Sequence, residues 1–345
     1  MQENPIMRLW TSRAALAPMA GVTDRVFRRI CRAYGSGAGY TPMISAKSVW
    51  YDNRGAFDLM RADEGERPLA LQLFGHEPDD IARAIDKIDL APFAWIDLNM
   101  GCPAPKITRQ GEGSALMKTP NVAESLIRAA VRKSPLPVSV KFRKGWDEHT
   151  GDAVEFAKMA EGAGASMICV HPRYAVQMYA GSADAALWEA IVKSVSIPVV
   201  ASGDIRDAES AVRALSMGCA GVMIGRASFG DPWVFQRIND GLAGKPTPGV
   251  SPCERLAAAL AHARMLTEDL PEHVAMLQMR KHVAWYIHGA PGAGKMRAQV
   301  NEVVRLEALE TLLSDYAKEA LDTAPEALRE MTRKAYEMYR NAAFA

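Results

Sequence analysis

One cysteine stands where its thiol could do chemistry. Cys102 lies in the segment NMGCPAP, residues 99–105, directly after an apolar run typical of a β-strand. Its thiol could pack in a core, bind a metal, form a disulfide, attack a substrate or donate a proton. The other four cysteines form no C-x-x-C pair, and they are Cys31, Cys169, Cys219 and Cys253. This pattern argues against a disulfide framework or a cysteine-based zinc site and fits a reducing compartment.

Other apolar runs also end in residues that could bind a ligand. Lys141 ends a run of Val and Pro, where a buried ammonium needs an anionic ligand or an electron-rich ring as its partner. Gln72 offers both a donor and an acceptor, which suits the imide edge of a flavin or a pyrimidine. His171 fits either a role in a site or a structural hydrogen bond.

Two glycines and an arginine could form a phosphate site. Gly203 and Gly225 follow apolar runs, and a glycine at such a place lets backbone N–H groups approach a phosphate. Arg226 could add a charge-assisted hydrogen bond. The alternative is that both glycines only form tight turns. Together with Gln72 and Lys141, these residues suggest a flat, heteroaromatic cofactor that carries a phosphate, such as FMN, and no metal site is predicted.

Alternating strands and helices would bring these residues together. Eight apolar runs rich in β-branched residues predict strands, which are Ala14–Ala20, Gly39–Ile44, Leu69–Phe74, Ala94–Asn99, Pro137–Phe142, Met167–His171, Pro198–Ser202 and Gly221–Gly225. Helical spacing lies between them, as in Asp79–Ile88, Asn121–Lys133, Gly151–Ala163 and Asp207–Met217. Eight such units predict an α/β fold, a TIM (β/α)8 barrel with its active site at the carboxyl ends of the strands. The alternative, a doubly wound sheet, would show G-x-G-x-x-G after its first strand, and the sequence has none there.

The chain is predicted to continue beyond the barrel. Residues 241–252, GLAGKPTPGVSP, predict a linker between a barrel domain, residues 1–240, and a smaller all-helical C-terminal domain, residues 253–345. Helical spacing there predicts Cys253–Asp269, His273–His288, Lys295–Tyr316 and Pro325–Ala343. The segment Gly289–Lys295 fits G-x-x-x-x-G-K, but Met296 stands where a nucleotide-binding loop needs Ser or Thr, and a helical pattern precedes it. We therefore expect a helix–helix turn with glycine at the C′ position.

The bulk composition is that of an ordinary globular protein. The 345 residues are 49% hydrophobic and 23% charged, with a formal net charge of +1. Such a balance argues mildly against a nucleic-acid binder but leaves room for a local basic patch. The sequence contains neither a signal-peptide pattern nor an apolar run long enough to span a membrane. We therefore expect a cytoplasmic protein with no membrane partner; the oligomeric state is open, with a monomer as the expectation.

Several segments resemble, in order, those of bacterial dihydrouridine synthases, and most of all the B-type branch. The segments are LAPMAGVTDRVFRRICRAYG, LQLFG, IDLNMGCPAPKITRQGEGSALMK, VKFRKGW, HPRYAVQMYAG, ASGDI and GVMIGRASFGDPWVF, and MRKHVAWY in the C-terminal helices is similar too. The resemblance implies an oxidoreductase that reduces a specific uridine in tRNA to 5,6-dihydrouridine, with FMN as cofactor and NADPH as reductant.

The resemblance also implies roles for residues of this chain. Cys102 would be catalytic and Asn99 would bind the uracil. FMN would be bound by Pro18, Met19, Ala20, Gln72, Lys141, His171, Ser202, Gly203, Asp204, Gly225 and Arg226. Arg143 and Arg173 would contact the uracil or flanking phosphates, with a structural salt bridge as an equally weighted alternative.

A mechanism follows from these roles. Hydride would pass from flavin N5 to C6 of a uracil turned out of the RNA stack, and Cys102 would give a proton to C5. A cysteine thiol has a reference pKa near about 8.5, so it keeps its proton at neutral pH. A nucleophile would need an activating base, and none adjoins Cys102 in the sequence.

Two departures from the family pattern affect the expectations. Ser202 stands where the family usually has Asn, and the usual H-G-R-T is His171-Pro172-Arg173-Tyr174. Pro172 removes a backbone N–H and Tyr174 adds bulk beside the pocket, so we expect changes in FMN affinity or RNA target rather than loss of activity.

A basic cluster in the helical domain could track tRNA phosphates. Its members are Arg280, Lys281, His282, Lys295 and Arg297. The alternative is a solvated helix face. Two further functions stay open, namely a flavin barrel acting on a small molecule and a non-catalytic RNA-binding homologue; a ribosomal RNA target is also left open.

Overall fold

The computed structural model describes residues 4–62, 66–247 and 249–342. Within them the strands form one parallel sheet in the order β1-β9-β8-β7-β6-β5-β4-β2, with β3 also paired to β4. The strands are β1 (Ala14–Leu16), β2 (Gly39–Tyr40), β3 (Ile44–Ser45), β4 (Leu69–Phe74), β5 (Trp95–Met100), β6 (Val138–Gly145), β7 (Met167–Tyr174), β8 (Val199–Ser202) and β9 (Gly221–Ile224). The Leu16 N–H donates to the Ala38 carbonyl, 3.0 Å away, and so joins β1 to the chain just before β2. The predicted TIM barrel is confirmed.

Helices follow the strands around the barrel. They are α1 (Arg25–Ala33), α2 (Ala46–Trp50), α3 (Arg54–Met60), α4 (Pro78–Lys87), α5 (Pro105–Thr108), α6 (Pro120–Lys133), α7 (Ala153–Gly162), α8 (Ala186–Val192), α9 (Ala208–Ser216) and α10 (Val234–Leu242). Local sequence sets their starts. Asp207 and Ser210 form a capping box at α9, and the Asp24 carboxylate accepts the Phe27 N–H at the start of α1.

Four predicted strands differ from the observed ones by more than one residue. The first strand ends at Leu16 rather than Ala20, because the chain turns at Met19, whose carbonyl accepts the N–H groups of Val22 and Thr23. The second is split into β2 and β3, with Pro42, which has no N–H to donate, between them. The fifth and sixth strands run further than predicted because β6 and β7 stay paired, past a bulge, as far as Gly145 and Tyr174.

Alternate residues of each strand point into the barrel. Along β5 these are Trp95, Asp97 and Asn99, so the inward side changes from apolar to polar toward the carboxyl end. The apolar part of the interior is formed by Ala15, Ala17, Tyr40, Ala70, Trp95, Met167, Cys169, Val200 and Met223. This packed lower layer closes the barrel from below and leaves the polar residues at its mouth.

Five helices form the C-terminal region. They are α11 (Pro252–Asp269), α12 (Glu272–Tyr286), α13 (Ala293–Val300), α14 (Leu306–Leu321) and α15 (Pro325–Asn341). Their apolar core also takes in Val26 and Ile30 of α1, so this region packs on the barrel through that helix. No helix in the described part of the chain has the length and apolar character needed to cross a bilayer.

The predicted helix Lys295–Tyr316 was wrong, because the chain breaks between α13 and α14. The break contains the β-branched pair Val303 and Val304, and the Glu272 carboxylate caps the new helix by accepting the Leu306 N–H at 2.8 Å. The helix–helix turn predicted at residues 289–295 is confirmed for residues 289–292, with Gly289 at a φ of 80°, whereas α13 already begins at Ala293. The prediction of glycine at C′ was wrong, because Ile287 is the C-cap, so His288 occupies C′ and Gly289 follows it.

Candidate active site in the barrel mouth

A cavity of about 890 Å³ opens at the carboxyl ends of the strands. Its volume lies in the range of small-molecule and cofactor sites. Fifteen of the residues predicted for the site line it: Pro18, Met19, Ala20, Gln72, Asn99, Cys102, Lys141, Arg143, His171, Arg173, Ser202, Gly203, Asp204, Gly225 and Arg226. Arg280 and Lys281 do not line it. The structure therefore gathers residues from seven separate strand ends, while their individual roles stay predictions.

Cys102 lies in a turn that is held from two sides. The Asn99 Oδ1 accepts the N–H groups of Gly101 and Cys102, at 3.2 and 3.0 Å. On the other side, the Ser114 N–H donates to the Cys102 carbonyl at 3.0 Å. Gly113 has a φ of 61°, and a Cβ there would lie 2.6 Å from the Cys102 carbonyl oxygen, so only glycine permits this approach. The position of Cys102 is therefore set by backbone contacts rather than by its own side chain.

A buried chain of side-chain hydrogen bonds lies beneath this turn. The Asn99 amide donates to Gln72 Oε1 at 2.9 Å, and the Gln72 amide donates to Asp97 Oδ2 at 2.7 Å. The Ser139 hydroxyl donates to the other carboxylate oxygen of Asp97. Gln72, Asp97 and Ser139 are all 0% exposed, and they sit level with one another on β4, β5 and β6. The chain thus connects the barrel interior to the backbone of Cys102.

The sequence analysis did not identify Asp97 or Ser139. A carboxylate inside an apolar run was the available signal, since buried carboxylates need partners. Burial raises the pKa of Asp97 to about 6, although hydrogen bonds from Gln72 and Ser139 and the positive charge of Lys141 oppose this rise. The carboxylate is therefore mainly ionised at neutral pH, with the Lys141 ammonium as a countercharge.

His171 is neutral and has a defined tautomer. Burial and the surrounding cations, among them Lys141, lower its pKa to about 2. Arg173 Nη1 lies 3.2 Å from His171 Nε2, and a guanidinium can only donate, so Nε2 accepts and the ring proton is assigned to Nδ1. His171 can therefore donate a hydrogen bond from Nδ1.

Both arginines left open by the sequence have structural contacts. Arg173 is 2% exposed, forms an ion pair with Asp204 at 2.7 Å and donates to the Gly181 carbonyl. Arg143 is also 2% exposed and donates to the carbonyls of Gly101, Tyr174 and Met178. Burial lowers the pKa of Arg143 to about 10, which still leaves it charged. Arg143 thus ties the Cys102 turn to the neighbouring loop, and both cations make the cavity positive.

The residues fit a phosphate-bearing, flat cofactor. Gly203 lines the cavity with a φ of 101°, and a Cβ there would overlap the His171 ring, so only glycine fits this turn. The Arg226 guanidinium is half exposed beside the cavity and pairs with Asp204 at 3.3 Å. A short 3₁₀ helix, Arg226–Ser228, starts directly after β9, where TIM barrels often bind phosphate. Ser202, the family departure, lines the same part of the cavity.

The loop after β7 contributes residues that the sequence analysis missed. Tyr179 lines the cavity mouth, is 52% exposed, and has the guanidinium carbons of Arg143 and Arg226 within 5.6 and 4.6 Å of its ring centre. Tyr174 was expected to add bulk beside the pocket, but it does not line the cavity, and the Lys144 ammonium lies over its ring. The expectation that Tyr174 adds bulk beside the pocket was wrong, because its ring lies against Lys144, outside the cavity.

The predicted basic cluster is not one continuous surface. His282 is fully buried, so including it in an exposed cluster was wrong. Lys281 is partly buried and donates to the Gly21 carbonyl, next to the cavity, while Lys295 and Arg297 are exposed on α13. Burial lowers the pKa of Lys281, and the nearby Asp24 carboxylate opposes this. Lys281 thus lies near the cavity mouth.

Comparison with known proteins gives one consistent result. The family model "Dihydrouridine synthase (Dus)" matches residues 15–322. The chain is 37% identical over 295 residues to "tRNA-dihydrouridine synthase B" of Pseudomonas aeruginosa, which covers 85% of this chain and 89% of that protein. It is 36% identical over 310 residues to the protein of the same name in Vibrio vulnificus, covering 88% and 96%. It is 37% identical over 319 residues to "Probable tRNA-dihydrouridine synthase 1" of Synechocystis sp., covering 91% and 87%.

Proposed function

This chain belongs to the dihydrouridine synthase family, and from that membership we propose that it is an oxidoreductase that reduces a specific uridine in tRNA to 5,6-dihydrouridine. The observation that carries the proposal is the position of Cys102. It lines a positively charged cavity together with Asn99, Lys141 and His171, at the end of a barrel where enzymes of this fold hold their substrates.

We propose FMN as the cofactor and NADPH as its reductant. Ser202, Gly203 and Arg226 would hold the phosphate, and Met19 would border the ring. The Lys141 ammonium has no hydrogen-bond partner among the described residues and could contact the polar edge of the cofactor. When bound and reduced, FMN would supply the hydride that C6 of the uracil receives.

Cys102 would donate the proton that C5 receives. C6 would gain the hydride and C5 the proton, so the C5–C6 double bond would become a single bond, Cys102 would be left as a thiolate that solvent reprotonates, and the cofactor would be left oxidised until NADPH reduces it again. Asn99 holds the Cys102 backbone through its Oδ1, and its Nδ2 donates to Gln72 and lies 3.6 Å from Met43 Sδ. We therefore propose that Asn99 serves the uracil mainly by fixing the Cys102 turn. The buried Arg143 and Arg173 would shape the pocket and attract RNA phosphates.

The RNA must deliver its uracil as an extruded base. A uracil inside a stacked, folded RNA cannot reach a cavity bounded by barrel strands, so the base has to leave the stack. Tyr179, half exposed at the mouth, offers a ring on which a neighbouring base can stack. We propose that the helical region, residues 253–345, binds the tRNA body, with Arg280 and Lys281 nearest to the barrel. A tRNA substrate also leads us to propose a cytoplasmic location.

Nucleoside mass spectrometry tests the proposal. We expect tRNA from cells lacking this gene to lose dihydrouridine at one or a few positions, and restoring the gene to return it. The purified protein should absorb as a flavoprotein after FMN is added. If dihydrouridine disappeared from ribosomal RNA alone, the substrate would be ribosomal RNA and not tRNA. Unchanged dihydrouridine in all RNA, with turnover of a small-molecule enone, would instead support a small-molecule reductase. A protein that binds RNA but takes up no FMN would contradict catalysis altogether.

A further inference from the structure

We propose that Asp97 is a positioning residue that fixes the direction of the hydrogen-bond chain from Gln72 through Asn99 to the Cys102 backbone. The inference rests on the proposed function, since it gives the Cys102 turn its catalytic importance. Asp97 itself lies below the cavity and does not line it. It would therefore act on the reaction only through the groups it orients.

The direction of the chain follows from what each group can do. An ionised carboxylate only accepts, so Gln72 has to present its NH₂ group to Asp97. The Gln72 carbonyl then faces Asn99, which has to donate to it from its own NH₂ group. The Asn99 carbonyl is left facing the Gly101 and Cys102 N–H groups, which only donate. A single reversed amide would place two donors or two acceptors against each other.

Both ends of the chain therefore demand the same orientation. At one end stands an acceptor that cannot donate, and at the other stand two backbone donors that cannot accept. In the buried interior, two donors or two acceptors facing each other cost free energy. Because both ends require the same amide orientations, one set of orientations dominates. Because Gln72 and Asp97 are 0% exposed, no solvent is available to compensate a reversed amide.

Ser139 makes the proposal testable, because its hydroxyl can either donate or accept. Beside the ionised carboxylate it donates. In an Asp97→Asn variant the hydroxyl can turn and accept from the new amide, whose oxygen continues to accept from Gln72. At this end the direction of the hydrogen-bond chain would then depend on Ser139, while the Gly101 and Cys102 N–H groups still favour the same direction at the other end. With the natural carboxylate present, Ser139 is dispensable, because an ionised carboxylate sets the direction without it.

The experiment measures hydrogen–deuterium exchange of the Gly101 and Cys102 amides in the full chain, with the same saturating FMN throughout. We expect Ser139→Ala and Asp97→Asn to stay within about twofold of the natural protein, and the double variant to exchange several-fold faster. Asp97→Leu, which removes the acceptor, should raise exchange about tenfold, the equivalent of one hydrogen bond. Equal exchange in Asp97→Asn with and without Ser139 would overturn the proposal, even if Asp97→Leu fails to fold.

A matched control separates orientation from general loosening. Met167→Ala removes a buried side chain that pairs with Ser139 in the same interior layer, and it changes no member of the hydrogen-bond chain. It should lower the unfolding midpoint yet leave Gly101 and Cys102 exchange unchanged; an equal rise there would reduce Asp97 to a packing role. In activity assays, the double variant should lose kcat for uridine reduction but keep NADPH-driven flavin reduction. Exchange is measured without RNA, so a failed uridine assay refutes the proposed function and leaves this test valid.

Discussion

Two buried clusters of polar side chains differ in hydrogen bonding: the side chains of one are bonded to each other, and the ring nitrogens of the other have no partners among the described residues. In the barrel, Asp97, Gln72 and Asn99 are joined in one chain. Where α1 meets α11 and α12, the rings of His262 and His282 are fully buried, yet none of their four nitrogens has a hydrogen-bond partner among the described residues. Buried polar groups are normally paired. The difference indicates that the barrel cluster is built to fix orientation, whereas the interface cluster is built to pack.

Ring contacts support the packing role at the interface. The Phe27 ring centre lies 5.9 Å from that of His262 at an interplanar angle of 21°, and the two histidine ring centres are 4.5 Å apart at 61°, edge to face. Burial lowers the pKa of His262 to about 3 and that of His282 well below its usual value, and the Lys281 charge adds to both shifts. The histidines therefore enter the interface as neutral, flat rings.

The largest expected effect is on the chemistry above the barrel cluster. Cys102→Ala should lower kcat for uridine reduction by about 10²- to 10⁴-fold, because the group that protonates C5 is lost. FMN content and flavin reduction by NADPH should stay unchanged, measured by absorbance in stopped flow. Cys253→Ala is the matched control, since that thiol lies far along the chain on α11, where it bonds to Thr323. Full activity in Cys102→Ala would rule out the acid role.

A stability comparison tests the two clusters directly. Gln72→Leu leaves an Asp97 oxygen without its partner and the Asn99 amide with the weak acceptor Met43 Sδ, so the free energy of unfolding should fall by about 2–4 kcal/mol. His282→Leu breaks no hydrogen bond and should cost about 1 kcal/mol, mainly from changed shape. Urea unfolding of both variants measures the two costs. Equal losses would remove the distinction between an orienting and a packing cluster.

Acid should act on the clusters with opposite sign. The stability gained by keeping His262 neutral is complete above its reference pKa of 6.5 and is lost as the pH falls toward 3, at about 1.4 kcal/mol per unit. Asp97 behaves in reverse, because its raised pKa lets the folded protein gain stability as the pH falls from about 6 toward 3.8.

Variants isolate these two contributions from the other titrating groups, which include Asp24 with its raised pKa. Relative to the natural protein, His262→Phe should gain about 2 kcal/mol on going from about pH 7.5 to about pH 5. Asp97→Asn should instead become less stable relative to the natural protein over the same fall in pH, because the natural protein gains stability as Asp97 takes up a proton. Urea unfolding at the two pH values measures both changes. Shifts of the same sign in the two variants would contradict the opposite roles.

The same contrast explains how far sequence reasoning could go. Alternating strands and helices predicted the barrel, and polar residues at strand ends, such as Asn99 and Lys141, predicted the cavity lining. Asp97 was missed because its partner Ser139 lies 42 residues away, and strand pairing rather than sequence spacing brings them level. The burial of His282 was missed for a related reason. It follows Arg280 and Lys281 directly, and the packing of α12 against α11 and against Phe27 of α1 places it inside.

A smaller effect is expected where the interface reaches the cavity mouth. Arg280→Ala with Lys281→Ala should weaken tRNA binding about three- to tenfold and lower the salt dependence by about one ion, without changing FMN content. The effect is modest because Lys281 already donates to Gly21. Lys295→Ala with Arg297→Ala, both exposed on α13, is the matched control. Fluorescence anisotropy at two salt concentrations measures both pairs. A larger loss in the control would move the RNA contact to α13.

The smallest effect, near zero, concerns metal binding at the interface cluster. Potential ligand atoms of Asp24, His262 and His282 lie within 4.8 Å of one another, so the three residues could bind a zinc ion after a small movement of their side chains. However, burial raises the pKa of Asp24, and the positive charges of Arg28 and Lys281 act at the same place, so a further cation meets a weakened ligand and like charges. Excess Zn²⁺ should therefore shift the unfolding midpoint by less than about 1 °C, whereas Lys281→Met should allow a measurable rise. A clear rise in the natural protein would mean that the unpartnered ring nitrogens are metal ligands and not packing surfaces.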